Sequence, residues 1–403
     1  MDFKRLRFLA TGGLKFERIA GGVDALDGLR AIAVLLVLLR HAAFPVVTET
    51  KGSIWTIGGY DLVTPLLNGW IGVDLFFVLS GFLICGHLLR QDNETFRWRN
   101  YLTQRALRIV PTYWAVLAIV VAGVIPFYVV NDQLIITRLI YHILFLQDYL
   151  PPNIVVAFWS LGVEEKFYLL APALVLGTAR IQDNRKRIAV LVAVGLLAVL
   201  SRGFLAMRYQ APMPYVNFVA IFRFPFQNCI DTLVVGMVAA IVCRDLKTRG
   251  NNYPRLGFFL AWGGIVAIGL LLFSGELLGA IDQWQKIWQP DVIAVSFGAV
   301  VLGCALGGGP QKLLSCSALC VLARISYPLY LIHMPLIPLC WHLIGTEPAE
   351  GARALTAFLP VFFAVSIAAA VAIHFTVEKP FLLFKRRLEE NSRSKSRDIA
   401  AAA

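Results

Sequence analysis

LRAIAVLLVLLRHAAF, running from Leu29 to Phe44, is an apolar stretch broken only by Arg30, Arg40 and His41. Arg30 and His41 stand eleven residues apart. On an α-helix that interval turns about 1100°, three full turns plus roughly 20°, so both side chains share one face about 16 Å apart. The separation is about half of a ~30 Å hydrocarbon core. An ionisable side chain inside a spanning helix is costly and marks a functional site by default. Two of them, aligned across half a bilayer, point to a reaction that connects the cytoplasmic face with the membrane interior.

Working outward, the composition fixes the class. The chain has 403 residues, 58% hydrophobic and 15% charged, with a mean hydropathy of +0.70. Apolar runs of spanning length recur to its end. An all-α polytopic membrane bundle follows, because a backbone exposed to lipid must satisfy its hydrogen bonds internally. The net charge of +12 invites a nucleic-acid partner, but the basic residues sit in short loops beside apolar runs. Topology explains them better. The seven cysteines are dispersed with no C-x-x-C pair, so neither disulfides nor a zinc site is expected. Lys4, Arg5, Arg7, Lys15 and Arg18 precede no early apolar core, so no cleavable signal peptide is expected.

The positive-inside rule then orders the segments. Spans are expected near 29–47, 66–89, 107–130, 161–179, 188–206, 229–243, 256–275, 291–309, 322–343 and 355–376. Arg90, Arg97, Arg99, Arg105 and Arg108 fall inside, as do Arg180, Arg185, Lys186 and Arg187. Glu276, Asp282, Glu347 and Glu350 fall outside. This parity holds only if 131–160 does not cross, so that stretch is expected to be external and re-entrant or interfacial, with Pro151 and Pro152 breaking its helix. The result is about ten spans with both termini cytoplasmic. Residues 1–28 form an N-terminal cytoplasmic segment, 29–381 the transmembrane domain and 382–403 a cytoplasmic tail, with 389–403 read as disordered.

Four further constellations carry possible chemistry. GVDLFFVLSGFLI (Gly72 to Ile84) places Asp74 near the outer end of the second span, where it could hold an imidazole or pair with Arg40. Ser80 and Gly81 there read as close-packing residues. RALRIVPTYW (Arg105 to Trp114) puts Arg105 and Arg108 one turn apart at the cytoplasmic start of the third span, with Pro111 in the first turn. Guanidinium pairs suit multivalent phosphate, although by the orientation rule alone positive-inside anchoring is the better account of them. WSLGVEEKFYLLAP (Trp159 to Pro172) carries Glu164 and Glu165, which point about 100° apart, so one at most faces a given pocket. Trp159, Ser160 and Tyr168 read there as an external polar–aromatic cluster suited to stacking on a sugar. SYPLYLIHMP (Ser326 to Pro335) places His333 one turn from Tyr330, with prolines bending the backbone.

Metal hydrolysis, a serine elbow and nucleotide hydrolysis have no motif here. Three classes remain. One is a transferase that takes a phosphate-bearing activated donor from the cytoplasm and uses His41 as base. A second is a secondary transporter with the same residues as a proton relay, although the paired repeats usual in transporters are absent. A third is a structural membrane partner without chemistry.

Taken together, LDGLRAIAVLLVLLRH, GVDLFFVLSGFLI, R-x-x-R-I-V-P, W-S-L-x-V-E-E, S-Y-P-L-Y-L-I-H and VEKPF resemble acyltransferase family 3. That is a family of membrane proteins that O-acylate surface polysaccharides, lipopolysaccharide O-antigen and Nod factors. The motifs occur in the family's order over nearly the whole chain. The resemblance implies an acyl-CoA donor, most often acetyl-CoA, loaded from the cytoplasm, with no tightly bound cofactor. The acceptor it implies is a hydroxyl of a glycan or lipid-linked saccharide, in a bacterial inner membrane. Arg30 and His41 occupy the family's essential R-x10-H positions, and Asp27, Asp74, Arg105, Arg108, Ser160, Glu164, Tyr330 and His333 match its recurrent polar positions. On this reading His41, Arg30, Asp74 and Glu164 are catalytic, Glu164 handling the acceptor on the outer face. Arg105, Arg108, Tyr330 and His333 hold the donor, and Trp159, Ser160 and Tyr168 the acceptor. Two positions depart from the pattern: Arg40 is charged where a neutral residue is usual, and Lys166 replaces a common glutamine. Some relatives carry a fused esterase-like domain, for which this chain ends too early.

Overall fold

Apolar runs long enough to cross a bilayer become long helices, as a backbone in hydrocarbon requires. The computed structural model describes residues 24–50, 54–58, 60–91, 96–130, 133–150, 154–209, 213–250, 253–274 and 282–389. Helices of eight or more residues are numbered α1 to α12. They are α1 Asp24–Thr50, α2 Gly72–Leu88, α3 Trp98–Val121, α4 Ile135–Ile143, α5 Trp159–Gly177 and α6 Asn184–Arg208, then α7 Ile230–Thr248, α8 Pro254–Phe273, α9 Gln289–Ala305, α10 Ser317–Ile332, α11 Ile337–Ile344 and α12 Ala352–Ile373. A two-stranded antiparallel ribbon, Thr56–Ile57 with Tyr60–Asp61, is the sheet among the described residues.

This is an all-α membrane protein. By length and apolarity six helices can cross a membrane: α1, Thr64–Leu88 containing α2, α3, α6, α8 and α12, which continues to Glu389. The pair α10 and α11 passes the same test together but bends by 90°. The expected segment 322–343 is therefore a broken helix and not one straight span. Each of the other nine expected segments also falls on a helix. Of these, α9 is a 17-residue helix, and α5 and α7 carry charged side chains in their runs.

Large apolar side chains face outward in stripes, Leu196, Leu200, Phe204 and Met207 on α6 and Phe259, Val266, Leu270 and Phe273 on α8. A bundle in lipid presents such a surface, whereas a water-soluble one buries it. Between α2 and α7 the backbones nearly touch. A Cβ on Gly236 would lie 2.1 Å from the Val78 carbonyl oxygen, and one on Gly81 2.0 Å from that of Leu233. This is the small-residue crossing typical of membrane helices. Helix α1 packs on α2, α10 and α12, which puts Arg30 and His41 at the middle of the bundle.

Three boundaries differ from the sequence expectation. Helix α3 begins at Trp98, so Arg105 and Arg108 lie two to three turns inside it, and Pro111 is internal rather than in the first turn. The last helix runs on past the expected span end at 376, into the stretch read as tail, and reaches Glu389, because LLFKRRLE extends the helical pattern without a breaker. In 131–160 the α-helix among the described residues is α4, nine residues long, which ends at Ile143 and so stops well before the prolines expected to break it. At 1.5 Å per residue it reaches roughly 14 Å, too short to cross. Pro151 and Pro152, residues 1–23 with their basic groups, Glu276 and the tail from 390 lie outside the described residues.

Candidate active site

Six helices converge on one cavity of about 730 Å³, a volume within the range usual for small-molecule sites. Arg30 comes from α1, Ser80 from α2, Arg105 and Arg108 from α3, and Ser160, Glu164 and Tyr168 from α5. Tyr327 and Tyr330 come from α10, and Lys385 and Arg386 from the extension of α12. Positive charge gathers at one end, where Arg105, Arg108, Lys379, Lys385 and Arg386 meet Glu378 and Glu389. Tyr330 and Ser160, bonded to each other, and apolar side chains of α2 form the other.

Glu164 organises the middle. Its Oε1 accepts from the Ser80 hydroxyl at 3.0 Å and its Oε2 from Tyr168 at 2.9 Å. The Arg105 guanidinium lies over the Tyr168 ring, 5.7 Å from its centroid. Arg30 adds a contact to Asp27, 3.7 Å away along its own helix. Ser80 is thus a hydrogen-bond donor to the site, and not the packing residue its small size suggested; Gly81 is. Glu164 shares the cavity with Arg30 and Arg108 and is not set apart on an outer face. Glu165 does not line it, as the 100° step between neighbours requires.

At the tyrosine end, Tyr330 donates to the Ala157 carbonyl at 2.7 Å, and the Ser160 hydroxyl meets the Tyr330 oxygen at 2.7 Å. Ser160 is therefore committed to fastening the start of α5 onto α10. Beyond Tyr330 lies His333, fully buried, at the break between α10 and α11. Its Nε2 is 3.0 Å from Nδ1 of His41, and its Nδ1 is 2.7 Å from the Tyr330 carbonyl oxygen. The structure thus pairs His333 with His41, where sequence reasoning grouped it with the donor residues. His41 is half-buried and does not itself line the cavity; His333, 5.8 Å ring to ring from Tyr330 of the lining, connects it to that wall.

Two expected site residues are engaged elsewhere. Asp74 is buried and accepts both carboxylate contacts from Arg223 at 2.8 Å, with that guanidinium over the Trp70 ring. Its partner is neither Arg40 nor an imidazole, because Arg223, unassigned by any motif, reaches it first. Trp159 is buried, stacked on Phe224 at 4.8 Å and edge-on to Phe77 at 5.9 Å. With those neighbours it is a packing residue and has no free face for a sugar. Arg40 lies over Phe44 and Tyr215. Lys166 points away from the cavity, to Asp148 at 2.6 Å and the Phe145 carbonyl at 2.6 Å.

Sequence reasoning missed the contribution of the last helix. His374 and Glu378, bonded at 2.6 Å within a π-helical turn, line the cavity with Lys379, Lys385 and Arg386. Such turns are frequent at functional sites. The signal was present in VEKPFLLFKRR, of which only VEKPF was singled out, as a family motif.

A family model described as an acyltransferase domain matches residues 23–375. O-acetyltransferase OatA of Staphylococcus aureus is 25% identical over 361 residues, 83% of this chain and 53% of that protein. Peptidoglycan O-acetyltransferase OatA of Listeria monocytogenes is 28% identical over 197 residues, 44% of this chain and 28% of that protein. The chain spans about half the length of the Staphylococcus relative. No solved structure matches it.

Proposed function

This chain belongs to the acyltransferase family whose domain covers residues 23–375, and we propose that it is a membrane-bound O-acyltransferase. It moves an acyl group, acetyl before any other, from acyl-CoA to a hydroxyl of a glycan. The observation that carries this reading is a single cavity with phosphate-suited arginines and lysines at one end and, behind Tyr330 at the other, an imidazole. A coenzyme A thioester has that polarity: charged phosphates at one end, a neutral reactive carbonyl at the other. The names of the relatives point the same way.

In the proposed reaction Arg105, Arg108, Lys385 and Arg386 hold the donor's phosphates, and Arg30 and Glu164 steady its arm. His41 takes the proton from the acceptor hydroxyl as the oxygen attacks the thioester carbon. The new C–O bond forms, the C–S bond breaks, and the imidazolium returns its proton to the departing thiolate. A route through acyl-histidine uses the same residue as nucleophile.

The topology that serves this reaction has ten spans, with 131–160 external and re-entrant and both termini cytoplasmic, in a bacterial inner membrane. The donor then enters from the cytoplasm, and a glycan or lipid-linked saccharide presents its hydroxyl from the opposite side. The test uses membrane vesicles from cells producing the chain, supplied with acetyl-labelled acetyl-CoA. Alkali-labile label should appear on glycan only when the chain is present. Vesicles that bind acetyl-CoA yet place no ester on glycan overturn the reading.

A further inference from the structure

We propose that His333 is a positioning residue that fixes the tautomer and ring orientation of His41, leaving Nε2 of His41 as the basic nitrogen. The inference rests on the general-base role of His41 proposed above and adds which atom acts and what holds it.

Which atoms can donate decides the tautomers of the two rings. A carbonyl oxygen only accepts, so Nδ1 of His333, 2.7 Å from the Tyr330 carbonyl, carries a proton. That nitrogen also lies 3.3 Å from the Leu329 carbonyl, which makes the same demand. His333 is fully buried, and none of its hydrogen bonds is to a carboxylate. A buried cation without a counter-charge is costly, so the ring is neutral and its Nε2 is an acceptor. The atom 3.0 Å away, Nδ1 of His41, must then be the donor. In a neutral imidazole one nitrogen donates and the other accepts, so the lone pair of His41 lies on Nε2.

The surroundings fit this assignment. Arg40, the charged neighbour of His41 on the same helix, turns its guanidinium over Phe44 and Tyr215. The 42° tilt and 5.0 Å separation of the two imidazoles describe an in-plane hydrogen bond more than a stack. His333 sits at the 90° break of α10 and α11, its ring held by the Tyr330 and Leu329 carbonyls. When His41 takes the acceptor proton on Nε2, its Nδ1–H remains on His333, and the imidazolium gives the Nε2 proton to the leaving thiolate. His333 gains and loses nothing; it steers the ring, as the orienting group of a nucleophile–base–orienter triad does.

The experiment compares His333→Leu, which removes the acceptor, with His333→Gln, whose Oε1 can replace it. Turnover and the KM for acetyl-CoA are measured in vesicles, alongside His41→Ala, and acetyl-CoA binding to each purified variant reports folding. His333→Phe is the second apolar replacement should leucine not fold. We expect His333→Leu to lower turnover about a hundredfold, within the span of acid–base contributions, with KM unchanged. His333→Gln should recover about tenfold of that loss. Wild-type turnover in His333→Leu, equal impairment in both variants, or a raised KM with turnover kept each overturns the positioning role. Full activity in His41→Ala instead overturns the general-base reading beneath it.

Discussion

Lys166 and Asp148 give the sharpest test of how α5 is held. Asp148 is completely buried. Its Oδ1 accepts from Lys166 at 2.6 Å, and its Oδ2 accepts from the Phe226 amide at 3.1 Å. Lys166 also bonds the Phe145 and Gly162 carbonyls, so it clamps the segment after α4 onto the helix that carries Ser160 and Glu164. Removing one partner of a buried pair leaves an uncompensated charge, costing about 3–5 kcal/mol. The Lys166 side chain keeps 18% of its exposure, which lets water relax the change and favours the lower figure. Lys166→Met should therefore destabilise by about 3 kcal/mol, roughly a hundredfold in the folded-to-unfolded ratio. The double variant with Asp148→Asn should cost clearly less than the sum of the single changes, by about 2 kcal/mol. Unfolding free energies from detergent titration of purified protein measure both. Single variants that lose under about 0.5 kcal/mol, or losses that simply add, refute the argument, since independent sites show additivity.

Other outcomes follow from the same geometry. Arg105→Ala and Arg108→Ala should each weaken acetyl-CoA affinity about tenfold or more, because a hydrogen bond to a charged group is worth roughly 1.5–3 kcal/mol; calorimetry on inserted, folded variants that still bind as wild type does would remove the phosphate role. Glu164→Gln should impair transfer, since it weakens the acceptance from Ser80 and Tyr168, while Glu165→Gln leaves the rate alone; the reverse pattern in a transfer assay inverts the assignment. Single cysteines at Gln133 and Tyr149, flanking α4, should both react with an impermeant thiol reagent from outside. Labelling of one only after permeabilisation means that the segment crosses.

Much of this architecture was legible, and the reasons are local. Apolar length fixed where helices lie, and the eleven-residue spacing put Arg30 and His41 on one face because helix geometry depends on nothing distant. The pairings were not legible. His41 meets His333 across 292 positions and Asp74 meets Arg223 across 149; no spacing rule reaches that far. Trp159 misled because polar neighbours at a helix start resemble a binding cluster, whereas Phe224 and Phe77, remote in sequence, bury the ring. Lys166, an apparent departure at the acceptor site, instead answers Asp148 on a neighbouring segment. The break at His333 was hinted at by Pro335, but its 90° angle depends on what α10 and α11 pack against.

The most direct measurement is acetyl transfer and acetyl-CoA binding on the same purified His41→Ala protein. Alanine can neither accept nor return a proton, so transfer should fall by about 10²–10⁴-fold. The affinity for acetyl-CoA should stay at the wild-type value, because the basic end of the cavity is untouched. Undiminished transfer by folded His41→Ala protein contradicts the account.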